Sequence, residues 1–233
     1  MSLTKSKGNM YDWVSHTHSH LRGKCPHECK YCYVQSMAKK YASLNEKYSG
    51  EEITLDESEL DVNYGKGKLI FIEHMNDLFA EGVEGGMISD ILHHCCEYPE
   101  SKYVLQTKNP YRYNDFRYQI PTGTICGTTI ESNRFHEVMG KAPIPLKRIL
   151  GISNIRAAGF ETFITIEPIL DFDVEDFACM IEIAKPSFVN IGADSKGHGL
   201  DEPSYAKIME LYNRICQLGI EVRKKINLDR LNK

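Results

Sequence analysis

Lys68-Leu-Ile-Phe-Ile-Glu73 is a run of β-branched, aromatic and aliphatic residues opened by Gly67 and closed by a carboxylate. It reads as a β-strand. Similar runs stand on either side of it, at 14–21 (VSHTHSHL) before and at 102–107 (KYVLQT), 124–129 (TICGTT), 162–167 (TFITIE) and 187–192 (SFVNIG) after, so six strands are expected. Helical patterns fill the gaps. Ile88, Ile91, Leu92 and Cys95 repeat at the spacing of one helix face, as do Val174, Phe177, Ala178 and Ile181. A last helix is expected from about Pro203 to Gly219, and another at about 33–48. Strands alternating with helices imply parallel pairing through helical crossovers. A complete eight-fold barrel needs about 250 residues. Six units in 233 residues therefore predict an α/β fold, a partial (β/α)6 TIM-type barrel open on one side. A doubly wound sheet is the alternative, but no Gly-rich phosphate loop follows the first strand. One domain is expected over 1–233, with its core at about 12–220. Ligands should gather at the carboxyl ends of the strands in either architecture.

Composition bounds the function classes. The chain is 42% hydrophobic and 26% charged, as in ordinary globular proteins, and its 28 basic and 32 acidic residues give a net charge of −4. That balance argues against a protein that coats nucleic acid without specificity, while leaving room for a local basic patch. No apolar run approaches the roughly 20 residues that span a bilayer, and the N-terminus lacks the apolar stretch of a secretory signal. A cytoplasmic protein with no membrane partner is expected. Its eight cysteines are then expected as reduced thiols.

Three of them are grouped. Cys25-Pro-His-Glu-Cys29-Lys-Tyr-Cys32 sets three thiols in eight residues on the loop after the first strand. Three thiolates on a 4Fe–4S cluster leave one iron without a protein ligand, open to a substrate or cofactor. The C-x₃-C-x-aromatic-C pattern, with Tyr31 as the aromatic, resembles the radical S-adenosylmethionine superfamily. A looser likeness extends over Phe71–Phe79, Gln106–Pro110, Thr129–Asn133 and Ile166–Leu170, which are similar to blocks of an uncharacterised, phage-associated branch of that superfamily related to spore photoproduct lyase-type enzymes. Ile191–Ser195 departs from the Gly-Gly-Glu-Ser type of ending usual there.

The resemblance implies a 4Fe–4S cluster on Cys25, Cys29 and Cys32, S-adenosylmethionine on the open iron, and reductive cleavage to a 5′-deoxyadenosyl radical that takes hydrogen from a substrate, with a nucleotide or nucleic-acid base as the candidate. It also implies an electron donor such as flavodoxin or ferredoxin. Tyr31, Asn76 and Asp77 are expected at the cofactor, the last two at its amino group; Lys108 at its carboxylate; and Glu131, Ser132 and Asn133 at its ribose, with Asp194 on the same rim. Glu167, at the end of the fifth strand, Cys126, as a thiol able to return a hydrogen atom, and His18 are the catalytic candidates. His16, His18 and His20 alternate, so on a strand they share one face. Each of these polar residues also reads as a helix cap or loop residue, Cys126 as a small core residue, and the histidines as hydrogen-bonded core. The stretch from Lys108 to Tyr118, four aromatics among three basic residues, reads first as the packed face of a short helix and second as a base-stacking surface. The alternative to an enzyme is a zinc-binding module for a partner, with His27 as fourth ligand.

Overall fold

The computed structural model describes residues 3–232. The elements are β1 (Thr4–Lys5), β2 (His16–His18), β3 (Leu21–Arg22), α1 (Tyr33–Ala38), α2 (Ala42–Tyr48), β4 (Thr54–Leu55), β5 (Leu69–Ile72), α3 (Gly85–Cys96), β6 (Lys102–Thr107), α4 (Tyr113–Phe116), β7 (Ile125–Thr129), α5 (Pro145–Ala157), β8 (Glu161–Ile166), α6 (Val174–Ala184), β9 (Phe188–Ile191), α7 (Tyr205–Gln217) and β10 (Glu221–Lys224). Eight strands form one sheet in the order β1-β2-β5-β6-β7-β8-β9-β10. Only β1 runs antiparallel to its neighbour; every other pairing in the sheet is parallel. The fold is α/β with a mostly parallel central sheet. Its edges are β1 and β10, so the sheet does not close on itself. No helix among the described residues is long and apolar enough to cross a membrane.

The expected strands are present, with several differences, the short strands β1 and β4 being additional to them. The first run contributes only His16–His18 to the sheet, and Leu21–Arg22 pairs separately with β4. The Glu73 carboxylate accepts the backbone N–H groups of His20 at 2.5 Å and Leu21 at 3.4 Å, drawing the chain away from the ladder. A further parallel strand, β10, follows the last helix and pairs with β9. The helix expected at 33–48 is divided into α1 and α2.

Alternation along the strands gives the sheet two apolar faces. Ile70, Ile72, Tyr103, Leu105, Ile164, Ile166, Val189 and Ile191 pack against helical residues such as Ile91, Ile152, Phe177, Ile208 and Leu211. Phe71, Val104, Phe163 and Phe188 face the other way, and there the N-terminal segment covers them with Tyr11, Trp13 and Val14. The Trp13 ring meets Phe163 and Phe188 edge-on at 5.6 and 5.3 Å. Gly127 interrupts the β7 run because the Phe163 ring lies where its Cβ would be, 2.2 Å away. The Tyr11 hydroxyl donates to Gln106 Oε1 on β6 at 2.7 Å and shares a hydrogen bond of 2.6 Å with Thr165 Oγ1 on β8. Those strands are two places apart, roughly 10 Å in a flat sheet. One hydroxyl bonded to both requires the sheet to bend around it or a side chain to reach across, and Gln106 does reach, its amide bonding Thr129 of β7 at 2.8 Å.

The histidine stripe falls on the helix side. His16 and His18 pair in register with Ile70 and Ile72, whose side chains point toward the helices. His18 is buried against His20 and Tyr64, with Nε2 3.7 Å from Glu59. Burial, reinforced by neighbouring His20, lowers its pKa to about 4. An unfolded histidine takes up its proton near pH 6.5, and folded His18 does so only near pH 4. The unfolded state therefore binds the proton first as pH falls, and stability that is complete above pH 6.5 is lost progressively toward pH 4, by about 3 kcal/mol. Urea unfolding of wild type and His18→Phe across that range should show a shallower loss in the variant; parallel curves would refute the assignment.

Candidate functional site

A cavity of about 530 Å³ lies at the carboxyl ends of the strands. That is within the range of small-molecule and cofactor sites. Cys25, Cys29 and Cys32 line one part of it; Asn76, Asp77 and Lys108, after β5 and β6, another; and Glu167, Asp194 and Lys225, after β8, β9 and β10, the remainder. Tyr11 and Asn9 complete the wall from the N-terminal segment.

The cysteine loop is held in place by two buried carboxylates. His27 Nε2 lies 2.8 Å from Asp77 Oδ2, which also accepts the backbone N–H of Lys108 at 2.8 Å. Burial alone would raise the Asp77 carboxyl, but His27 and the Lys108 backbone hold it below the usual carboxylate range. Tyr31 donates its hydroxyl to Glu131, which also receives Lys108 Nζ at 2.6 Å and Arg148 Nη1 at 2.7 Å. A third contact is backbone against backbone. Gly140, with φ of +64°, lies so close to the loop that a Cβ there would stand 2.3 Å from the His27 carbonyl oxygen. The Asn76 amide donates to the Gly23 carbonyl at 3.0 Å at the loop's start.

Burial raises the Cys25 thiol well above its ordinary range, helped by Asp77, and raises Cys29 as well, with Lys108 opposing. Cys29 Sγ donates to the Met139 carbonyl at 3.3 Å. Both are therefore thiols at neutral pH, and binding a metal centre would release their protons. Three sulfur donors in one cavity suit soft metals, zinc or iron–sulfur. Tetrahedral zinc, with Zn–S of about 2.3 Å, needs its donors about 3.8 Å apart. Among the described residues no group of three His, Cys, Asp or Glu side chains is drawn together in that way. A cluster places each thiolate on a different iron, and either centre would draw its sulfur donors from Cys25, Cys29 and Cys32.

Several expected residues are elsewhere or already engaged. Cys126 is buried on β7 in the helix-side core and does not line the cavity; burial raises its thiol. His18, as described above, is also on that side, so neither is in reach of the cavity as a catalytic group. Ser132 donates to the Asp171 carbonyl at 2.6 Å, and Asn133 exchanges hydrogen bonds with Asp173 at 2.9 and 3.2 Å, so both hold the chain after β8 rather than facing the cavity. Glu131 is fully buried behind the cavity wall. Asp194 binds the His198 ring at 2.7 Å and lies on the rim. Glu167 accepts Lys225 and Asn227, each at 2.7 Å, and Asn9 at 2.7 Å. The 108–118 stretch is packed: Tyr113 is fully buried with its hydroxyl on the Gly127 carbonyl, and Arg112 holds the Ala80 and Val83 carbonyls.

No curated protein matches the chain in sequence. Among solved structures, a spore photoproduct lyase variant superposes with a TM-score of 0.59 at 10% identity, over 94% of this chain and 79% of that one. Another, with bound AdoMet and dinucleoside spore photoproduct, gives 0.55 at 11% identity over 92% of this chain. The chain spans 66% of that second protein's length. The likeness is one of fold. In sequence, the family described as Protein of unknown function (DUF5131) matches residues 9–201, most of the chain and the whole of the cysteine loop. The chain belongs to the DUF5131 family, carried on a fold similar to that of spore photoproduct lyase.

Proposed function

We propose that the protein is a radical S-adenosylmethionine enzyme. The observation that carries this reading is the set of three thiols, spaced C-x₃-C-x₂-C, lining one cavity at the carboxyl ends of parallel strands. The similar fold of a protein with bound AdoMet supports it. In this reading the sheet is a TIM-type barrel left open between β1 and β10, with the Tyr11 hydroxyl inside its curve. Cys25, Cys29 and Cys32 would hold a 4Fe–4S cluster. When bound, the cluster and S-adenosylmethionine supply a 5′-deoxyadenosyl radical, formed by one-electron reductive cleavage, that removes hydrogen from the substrate.

The chain's own residues position and enclose. His27 on Asp77 and Tyr31 on Glu131 fix the loop, so a cluster held by its thiolates would be kept at one place relative to the strand ends. Asn76 and Lys108, which line the cavity, are the groups for the amino and carboxylate ends of the cofactor. Glu167, with Lys225 and Asn227, faces the substrate end.

The substrate is a nucleotide or nucleic-acid base. Each acidic side chain lining the cavity has a cationic or histidine neighbour: Glu73 with His20, Asp77 with His27, Glu167 with Lys225, Asp194 with His198 and Glu28 with Lys141. Lys5, Lys7 and Lys196 also line it and have no carboxylate partner among the described residues. A mouth with surplus positive charge over aromatic walls, Tyr11, Tyr33 and Phe71, suits a flat base on an anionic backbone. The electron donor is a flavodoxin or ferredoxin.

Anaerobic reconstitution with iron and sulfide tests the assignment. Addition of dithionite and S-adenosylmethionine should give 5′-deoxyadenosine. Stoichiometric zinc with no iron or acid-labile sulfide in anaerobically purified protein would instead establish the zinc module.

A further inference from the structure

Arg148 sits in the first turn and a half of α5, in the sequence Pro-Leu-Lys-Arg-Ile-Leu, where an arginine would ordinarily be on the surface. It is fully buried. Its Nη1 bonds the Thr129 carbonyl at 3.0 Å and Glu131 Oε2 at 2.7 Å, its Nε bonds the Pro143 carbonyl at 2.5 Å, and its Nη2 is buried with no partner among the described residues. The same carboxylate carries Lys108 Nζ at 2.6 Å. Glu131 remains ionised: burial would raise it, but Arg148 and Lys108 together bring it to about 2. Tyr31, the fourth member, is neutral, its hydroxyl donating to the same carboxylate. Two cations thus face one carboxylate, Arg148 wholly buried and Lys108 at the cavity wall with its side chain 16% exposed.

A surplus buried charge is strongly destabilising unless an opposite charge shares its surroundings. Among the described residues Glu131 is the one carboxylate paired with either cation. Cys29, two residues before Tyr31, is the neighbour: it lines the same cavity as Lys108, whose Nζ stands 5.2 Å from the centroid of the Tyr31 ring. A cluster held by three thiolates carries net negative charge and gains one more on reduction. A fixed positive charge next to it favours the reduced form.

We infer that Arg148, Lys108 and Glu131 hold one positive charge in surplus behind Cys29, and that this charge raises the reduction potential of the cluster. The inference rests on the function proposed above. Arg148 is a positioning and tuning residue in this scheme, because Glu131 and Tyr31 stand between it and the cavity.

The test is a redox titration, followed by electron paramagnetic resonance, of reconstituted wild type, Lys108→Met and Glu131→Gln. Removing a cation should shift the midpoint to lower potential, and removing the anion should shift it to higher potential. A role in folding alone would not produce shifts of opposite sign. Shifts of the same sign, or none, at equal iron content per chain would overturn the proposal. The apo protein gives a second measurement that needs no cluster. Lys108→Met should melt at a higher temperature than wild type, since it leaves Glu131 and Arg148 balanced; an equal or lower melting temperature overturns the charge surplus. If wild type takes up no iron, the enzyme reading fails and the redox effect with it, while the melting comparison still decides whether the surplus exists.

Discussion

Cys29→Ala should empty the site while leaving the fold intact. Cys29 is half-buried and makes one hydrogen bond, to the Met139 carbonyl, so truncation removes one sulfur and one weak contact. A cost of about 1 kcal/mol is expected. The loop remains tied at His27–Asp77 and at Tyr31–Glu131 on either side of the missing sulfur. With two thiolates the cluster has half the ligands of a closed four-cysteine site. Losing even an outer partner costs a metal site 10–100-fold, so the loss of a direct ligand should lower bound iron and 5′-deoxyadenosine formation by at least ~100-fold. Iron and sulfide analysis, with circular dichroism as a control on folding, decides it. Wild-type iron in a folded variant would mean that Cys29 ligates nothing.

Gly140→Ala should produce the other large effect, through the backbone. The residue has φ of +64° and ψ of −132°, a region that only glycine occupies without strain. A Cβ would meet the His27 carbonyl oxygen at 2.3 Å and the Glu28 carbonyl oxygen at 2.6 Å, both main-chain atoms with no rotamer to change. Backbone strain of about 1–3 kcal/mol adds to an overpacking cost of about 1–3 kcal/mol. The loop can relieve the clash only by moving away, and that would break the bond from Lys141 N–H to the His27 carbonyl, now 2.7 Å. Denaturant unfolding should show a loss of about 3 kcal/mol or more, and reconstitution should recover much less iron than wild type. Unchanged stability would show that the segment at 137–141 is not a support for the loop.

The sequence made the sheet legible where strands are apolar runs bounded by turn residues. It concealed β10, Glu-Val-Arg-Lys, because an edge strand with one half-buried valine has no such run. Without β10, neither Lys225 nor Asn227 could be associated with Glu167. The alternation of His16 and His18 indicates a shared face, but period alone does not say which face; the pairing with Ile70 and Ile72 does, and His20 lies beyond the end of the strand. The cysteine spacing identified the thiols because it is local. Asp77 and Glu131 were identified as polar groups at strand ends, and their partners, His27 and Tyr31, are 50 and 100 residues away in sequence, so their role in supporting the loop needed the fold. Arg148 carries no signal, since a burying contact cannot be read from one residue type on a helix.

The N-terminal segment has a consequence for how the chain is made. Tyr11 and Asn9 form the cavity wall only by touching Thr165, Glu167 and Lys225, and Trp13 waits for Arg223 and Phe188. About 190 residues separate Cys32 from Lys225. At 5–20 residues per second, synthesis of that stretch lasts roughly 10–40 s. During that interval the first-made thiols have left the ribosome with no finished pocket around them. If the proposed cluster is what these thiols hold, its iron would be delivered after synthesis is complete, and an oxidant met earlier would find the cysteines unprotected.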